Sequence, residues 1–596
     1  MKRMQEESGS ALVMVLFVVL MLTILGMAVL SASIGGAQRA ETRENDVQSL
    51  HLAQKTVDEA AAAIGAGLAG KEDISPKELE VTLRNVVTQI RQQGKKVTTG
   101  FNVNGISSAK GEIVDITYNN MTVNANDHSI LYHLTITVKA TVNGVLRKLK
   151  QDVTIDTFPD FLKYAIGSES NLIINGAAQI QGNVYAGQKL LLNDYAYYKY
   201  NKQEREKNTV FPTLAHGSLL NVSSIHDIQY QEGNRRLGSN YIPLTENTWP
   251  TMYPTLLHST DSELLQIKDK KKFVSINLDE SILDKLTEAL GTENGRDQIR
   301  NNIGHLGSYL LQDPTAATKF LGLRLPEKPT APDFPTDDNA KVTQDYDKVV
   351  KDYDKALKEY NEKLAIYNKG LDELNRNLMN MNQSAVFENG MTIDGDTLKE
   401  GLRYTEEAKR NGRWLVVDGD LTIDNYKSQP LQIRGNVLVT GKVIIRGQVA
   451  FDSTMFVMGK TTIEDATITG LNQKELVLIS KGKILVNRYD AFQNASPASL
   501  RAFFYTEDTA ELYGVGSAFL LNGGFFSKGD LTIHAVLGSA TGNGSTIDFS
   551  PQTEGTSLKR FEVKYNEQVF EDQNTSLPRV RQVNISMGAL QLMPQD

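Results

Sequence analysis

Three sets of residues have the types and spacing to suggest chemistry. Gly459-Lys460-Thr461 matches the end of a phosphate-binding loop, in which backbone amides and a lysine hold phosphates. That loop needs a glycine where Thr454 stands and a helix after the threonine, and the sequence supplies neither. Asp394 and Asp396 in TIDGDT, with Asp418, Asp420 and Asp424 in VDGDLTID, offer oxygen ligands to calcium. No glutamate follows at the twelfth position of a calcium loop, and aspartate beside glycine is ordinary turn chemistry. Arg434, Arg446 and Arg488 with Asp424 and Asp452 are what a polysaccharide lyase or glycosidase would use, an arginine base or clustered carboxylates on one face. Charges on outward strand positions are equally what solubility demands. There is no cysteine, and the eight histidines are scattered without HExxH or HxH spacing. Thiolate chemistry and disulfides are thereby excluded. The expectation is no enzyme: no catalytic, cofactor-binding or metal-binding residues.

The elements that carry these residues have a distinct texture. Between Arg413 and Ala535 short aliphatic runs recur, as LVVDGDLTI, VLVTGKVII, MFVMGKTTI, LVLISKGKILV and GGFFSKGDLTI. Gly419, Gly441, Gly459, Gly482 and Gly529 mark them at solenoid-rung spacing, the last gap near double. GNVYAGQKLLL at Gly182–Leu192 resembles GNVLVTGKVII at Gly435–Ile445 and predicts rungs of the same stack. A rung that cannot bury its apolar side alone must stack on its neighbour, so a parallel β-helix is expected. A β-sandwich with irregular strands is the alternative.

At 596 residues the chain is too long for one core, and its net charge of −8 without a long basic run argues against nucleic acid. No charge occurs between Glu7 and Arg39, and Ala11 to Leu30 is apolar apart from Thr23 and Gly26. Twenty helical residues span roughly 30 Å, one bilayer core, and exceed a typical secretory signal. Lys2 and Arg3 favour an inside N-terminus, with the bulk of the chain outside the cell. No proline interrupts Ala37 to Leu68, where Val47, Leu50, Val57, Ile64 and Leu68 form a stripe with Ala53, Ala60 and Ala61.

ESGSALVMVLFVVLMLTILGMAVLSAS followed by NDVQSLHLAQKTVDEAAAAI resembles the N-terminal region of PilX-type pilus-assembly proteins, minor pilin or pseudopilin-like, of Gram-positive bacteria. The resemblance implies a prepilin peptidase cutting between Gly9 and Ser10, and other pilin-like subunits as partners beside the lipid bilayer. Met14 stands where major pilins carry glutamate, and Gln54-Lys55 replaces their second acidic pair.

Ser75-Pro76-Lys77-Glu78 reads as a capping box opening a helix that ends at Gly94. Strands flanking Asn143-Gly144 read as a type I′ hairpin. Farther on, Pro326, Pro329, Pro332 and Pro335 recur every third residue, one face of a polyproline II helix. Tyr346, Tyr353, Tyr360 and Tyr367 recur every seventh, with Val350, Leu357, Leu364 and Leu371 at the second heptad position. Three polyproline residues advance about 9.3 Å and a heptad about 10.5 Å, so prolines can sit between successive tyrosine rings. This segment resembles polyproline and tyrosine-helix stalks of fibrillar streptococcal adhesins; an intermolecular coiled coil is the alternative.

The expected layout is a leader at 1–9, a membrane helix at 10–35, an extended helix and pilin-like α+β region at 36–157 and first solenoid rungs at 158–200. A mixed insertion follows at 201–325, the polyproline–heptad hairpin at 326–381, the β-helix at 382–555 and C-terminal strands at 556–596. The function expected is a membrane-anchored surface protein in pilus assembly or adhesion. A plain anchored protein that binds or cleaves polysaccharide, without pilus machinery, is the alternative.

Overall fold

The computed structural model describes residues 4–71, 76–94, 109–123, 130–200, 202–231, 241–267, 273, 276–290, 296–306, 308–309, 320–332, 340–378, 380–395, 401–487, 498–543, 546–550, 558–573, 576–578, 580 and 582–594. The chain divides into two compact units. One comprises Met1–Val123, Ile130–Asp156 and Arg581–Asp596; the other comprises Asn124–Ser129 and Thr157–Val580.

In the first unit, helix α1 runs unbroken from Met4 to Leu68, 65 residues and roughly 100 Å. Its apolar portion from Leu12 to Leu30 is exposed on every face. Its last turns differ: Ala53, Val57, Ala60, Ile64 and Leu68 are buried against Leu79, Leu83, Val87 and Ile90 of helix α2 (Pro76–Gly94) and against an antiparallel sheet. The expected stripe began too early, because Val47 and Leu50 are exposed. That level of the helix meets polar partners instead: Asn143 Nδ2 donates to Asn45 Oδ1 at 3.0 Å, and Arg147 pairs with Asp46. Ser75 of the capping box lies outside the described residues. Strands β1 (Ala109–Val123), β2 (Ile130–Val142) and β3 (Val145–Asp156) form a meander, and Asn584–Leu592 adds a fourth strand beside β3. Asn143 and Gly144 turn with φ of 48° and 84°, the left-handed pair of a type I′ hairpin.

The second unit is built on parallel pairing. One column passes through Ala385, Leu415, Val437, Met455, Leu478, Phe504, Phe525, Ile166, Val184, Leu220 and Leu265, each in register with the next. All but Leu265 are buried. Met391, Leu421, Val443, Thr461 and Ile484 make a second column, and Leu402, Ile433 and Phe451 belong to a third. The rows do not close into a barrel. An apolar N-terminal helix followed by a large region of sheet is therefore the architecture; of the two expected copies near Gly182 and Gly435, strands Val184–Ala186, Leu431–Val439 and Val443–Val457 lie in one sheet, whereas Leu190–Asn193 belongs to a second, six-stranded sheet.

Four of the five marker glycines stack on one another, and Gly529 lies against Asp508 and Thr509 instead. Gly441 N–H donates to Gly419 O at 2.8 Å, Gly459 to Gly441 at 3.0 Å and Gly482 to Gly459 at 3.1 Å. A Cβ on Gly459 would lie 2.5 Å from the Gly441 carbonyl oxygen, which explains the recurrence.

Chain order and stacking order differ. The chain lays down Ile166–Ser168, Val184–Ala186, Leu220–Val222 and Leu265–Ile267 in one direction. It resumes at the opposite end with Phe320–Arg324 and returns row by row until Phe519–Ser527 pairs with Ile166–Ser168. The entry and exit of the unit meet there, where Val580 N–H donates to Thr157 O at 2.8 Å. The segment expected as a mixed insertion thus supplies parallel strands at 213–214, 220–222 and 265–267. These are two or three residues long and carry no glycine marker, so periodicity does not reveal them. The tail, expected as C-terminal strands at 556–596, is divided between units. Phe561–Lys564 pairs in parallel beside Phe519–Asn522, whereas Asn584–Leu592 joins the antiparallel sheet.

Candidate functional site

The residues singled out for chemistry are distributed along the stacked strands. Gly459-Lys460-Thr461 is a turn between strands Val443–Val457 and Thr461–Gly470, with no helix to aim amides at phosphate. Asp418 Oδ1 accepts from Thr440 Oγ1 at 2.9 Å, and Asp420 Oδ1 accepts from Lys442 N–H at 2.9 Å. Both carboxylates serve turns of the next row. Asp394, Asp424, Arg446 and Glu464 share a lateral column, where Arg446 lies 3.7 Å from Asp424 and 2.7 Å from Glu464. Arg434 sits on a different column, and its Nε donates to Tyr404 O at 2.6 Å. Asp452 is its lateral neighbour but is buried and pairs elsewhere. Arg488 and Asp396 lie outside the described residues. Among the described residues, Asp394, Asp424 and Arg446 thus line one column, where Arg446 is tied into inter-row ion pairs, while Arg434 and Asp452 lie on another.

Among the described residues, the helix stem is a continuous exposed apolar surface. Gly9 and Ser10 lie within α1. Beyond them Leu12, Leu16, Leu20 and Ile24 are more than half exposed, in a helix long and apolar enough to cross a membrane. Such a surface costs about 25 cal/mol per Å² in water and calls for lipid or protein around it.

Helix Ala340–Leu378 contains the tyrosine series. Tyr346, Tyr353 and Tyr360 are half-buried and Tyr367 is buried, while most positions between them are exposed. Pro326, Pro329 and Pro332 are half-buried too, with Glu327, Lys328, Thr330 and Ala331 exposed; Pro335 lies outside the described residues. Tyr367 belongs to the core cluster of the parallel unit, and Leu364 packs against it. The part of the helix around Leu364 and Tyr367 thus belongs to the core of the parallel unit.

One cluster escaped the sequence reading. Lys409, on the short helix Glu406–Arg410, is buried; its Nζ touches Asp452 Oδ1 and donates to Gln573 Oε1 at 2.7 Å. Gln573 Nε2 donates to Asp452 Oδ1 at 3.1 Å and to Glu475 O at 3.0 Å. Ser576 Oγ donates to Thr454 Oγ1 at 2.9 Å. Glu475 is buried; Asn566 Nδ2 donates to its Oε2 at 2.5 Å, and its Oε1 has no hydrogen-bond partner. Burial, with Asp572 nearby, pushes the Glu475 carboxyl up to about 7. Burial likewise pulls the Lys409 ammonium below the usual lysine range, against the pull of Asp452. Residues 409, 452, 475 and 573 are far apart in sequence, and no local motif joins them.

No protein-family model matches the chain. No curated protein matches it either. Among solved structures, it is similar to the competence-associated pilin ComZ from Thermus thermophilus, at 12% identity and a TM-score of 0.29 over 92% of this chain and 98% of that one. A likeness of that size bears on neither family nor function.

Proposed function

We propose that this is a non-enzymatic, membrane-anchored surface protein that acts as a minor pilin or pseudopilin-like subunit in fibre assembly or adhesion. The observation that carries the reading is α1: one helix, bare and apolar for a membrane's thickness, whose far end packs on an antiparallel sheet. Its N-terminus is cytoplasmic and the remainder lies outside the cell. The partners are the bilayer, a prepilin peptidase acting between Gly9 and Ser10, and other pilin-like subunits. The parallel unit is a β-solenoid that serves as a rigid body, supported by its stacked glycine turns. The proline segment 326–332 and the tyrosine face of Ala340–Leu378 pair along part of their length as a contact element; the alternating exposure on both supports this.

The test is the N-terminus of protein recovered from a host that has the peptidase. Mature protein beginning at Ser10, with processing blocked in Gly9→Val, is the expected result. An intact Met1 there would favour a plain anchor, and release of the chain from membranes would refute both.

A further inference from the structure

We propose that Lys409 and Asp452 become joined by an amide bond that the chain forms on itself. The buried cluster has the parts this reaction needs. The nucleophile must be a neutral amine, and Lys409 is nine-tenths or more buried, on a helix that holds it against one carboxyl oxygen. Desolvation favours its uncharged form. The electrophile must be a carboxyl whose carbonyl oxygen is polarised. Asp452 Oδ1 accepts from Gln573 Nε2, placed to follow the charge that develops there. The reaction also needs an acid to carry protons, and the role falls to Glu475, a buried carboxyl at the head of the next strand whose Oε2 is held by Asn566 and whose backbone carbonyl is tied to Gln573. Ser453 and Leu476 pair in parallel register, so Asp452 and Glu475 are lateral neighbours on adjacent strands, roughly 4.8 Å apart along the stack. Glu475 holds its proton near neutrality, and its Oε1 has no partner to give it to.

The step balances without any other reactant. Within the pair, the ammonium proton passes to the carboxylate, leaving an amine and a carboxylic acid. The Lys409 Nζ lone pair attacks Asp452 Cγ, and a C–N bond forms as the carbonyl electrons move to Oδ1. Glu475 accepts a proton from nitrogen and returns one to Oδ2. The C–Oδ2 bond breaks, the Oδ1 carbonyl re-forms, and one water leaves. Oδ2 lies 3.7 Å from Nζ of Lys474, a part-exposed side chain that marks the solvent side. Fixed proximity of the two reacting groups is worth effective concentrations of about 10⁵ M or more, and exclusion of water opposes the reverse hydrolysis. The other charged groups around the cluster are Arg501 and Asp572, whose opposite signs leave the acid and amine roles unchanged. A buried ion pair without reaction is the competing account, since removal of either partner would destabilise both states alike.

Peptide mapping of the purified full-length protein distinguishes them. The expected result is a branched peptide joining Lys409 to Asp452, short of the summed sequence mass by one water, about 18 Da. Lys409→Arg keeps a cation that cannot condense and should give the two peptides unjoined at full mass. Asp452→Asn should lose ammonia instead, about 17 Da, a signature that dehydration elsewhere cannot imitate. Glu475→Gln, with native tryptophan fluorescence, should leave most of the pair unjoined. Unjoined peptides in the wild type, or a water loss mapped to other residues, would overturn the proposal. A fully joined Glu475→Gln protein would overturn the role given to that acid.

Discussion

Gly447 and Gly412 make a matched pair for testing whether turns in the parallel unit are fixed by their neighbours. Both are left-handed, with φ of 72° and 64°. An alanine at Gly412 would meet nothing within 4 Å, whereas at Gly447 its Cβ would lie 1.7 Å from the Asn425 carbonyl oxygen in the next row. Gly412→Ala therefore carries only the backbone term, about 1–2 kcal/mol, less about 0.4–1 kcal/mol regained from a stiffer unfolded chain. Gly447→Ala adds displacement of the Asn425 row. Asn425 Nδ2 donates to Gln429 O at 2.9 Å and to Gln448 O at 2.7 Å, and both bonds are strained when that row moves. Losing two such bonds, each about 1–3 kcal/mol when a buried group is left unpaired, brings the expected total to about 3–6 kcal/mol. The assay is urea unfolding followed by tryptophan fluorescence. The chain has two tryptophans: Trp249 belongs to the core cluster of the parallel unit and Trp414 is buried in the same unit, so the signal reports that unit alone. Equal midpoint shifts for the two variants would show that adjacent turns do not constrain one another, and would refute the stacking argument.

Three further outcomes are expected. Leu16→Arg with Ile24→Arg should abolish membrane retention, since each central arginine costs roughly 2.5–3.5 kcal/mol on insertion scales; normal fractionation would remove the anchor. Glu475 keeps its proton in the folded chain up to about pH 7, but an ordinary glutamate loses it near 4.5. Between those values the unfolded state binds fewer protons, so this residue's contribution to stability declines as pH rises. Relative to wild type, Glu475→Gln should gain up to about 3 kcal/mol from pH 4.5 to 8, read by the same urea midpoints; a constant gap would contradict the burial of that carboxyl. Tyr367→Ala should cost the parallel unit about 3–5 kcal/mol and Tyr353→Ala far less, because only the former ring is in the core; equal losses would place both on the same footing.

What the sequence revealed followed local periodicity. The apolar run, the Asn143-Gly144 turn and the recurring glycines are each short-range signals, and each corresponds to an element of the structure. The stripe on α1 was misplaced at Val47 and Leu50 because residues Asn45 and Asp46 had partners, Asn143 and Arg147, that no helical pattern can announce. Strands of two or three residues at 213–267 are too brief for an alternation to register. The ion pairs of Arg446 and the burial of Asp452 depend on which rows become neighbours, which the spacing of charges does not encode. The Lys409 cluster draws on four separate segments, so it was legible only once those segments had been brought together.

The meeting of the last row with the first has a temporal consequence. Residues 166–267 emerge from the ribosome with one edge lacking its neighbour, because that neighbour is Phe519–Ser527. The bond from Asn171 Nδ2 to Asp530 Oδ1 spans 359 residues. At 5–20 residues per second the wait is on the order of 20–70 s. Throughout that interval a strand edge of Ile166–Ser168 offers unpaired backbone groups to any passing chain. The rows from Ser384 onward have no such delay, since each follows its neighbour closely. Maturation is therefore ordered from the later part of the chain backward, and a truncation before residue 519 would leave the earliest-made rows permanently open to aggregation.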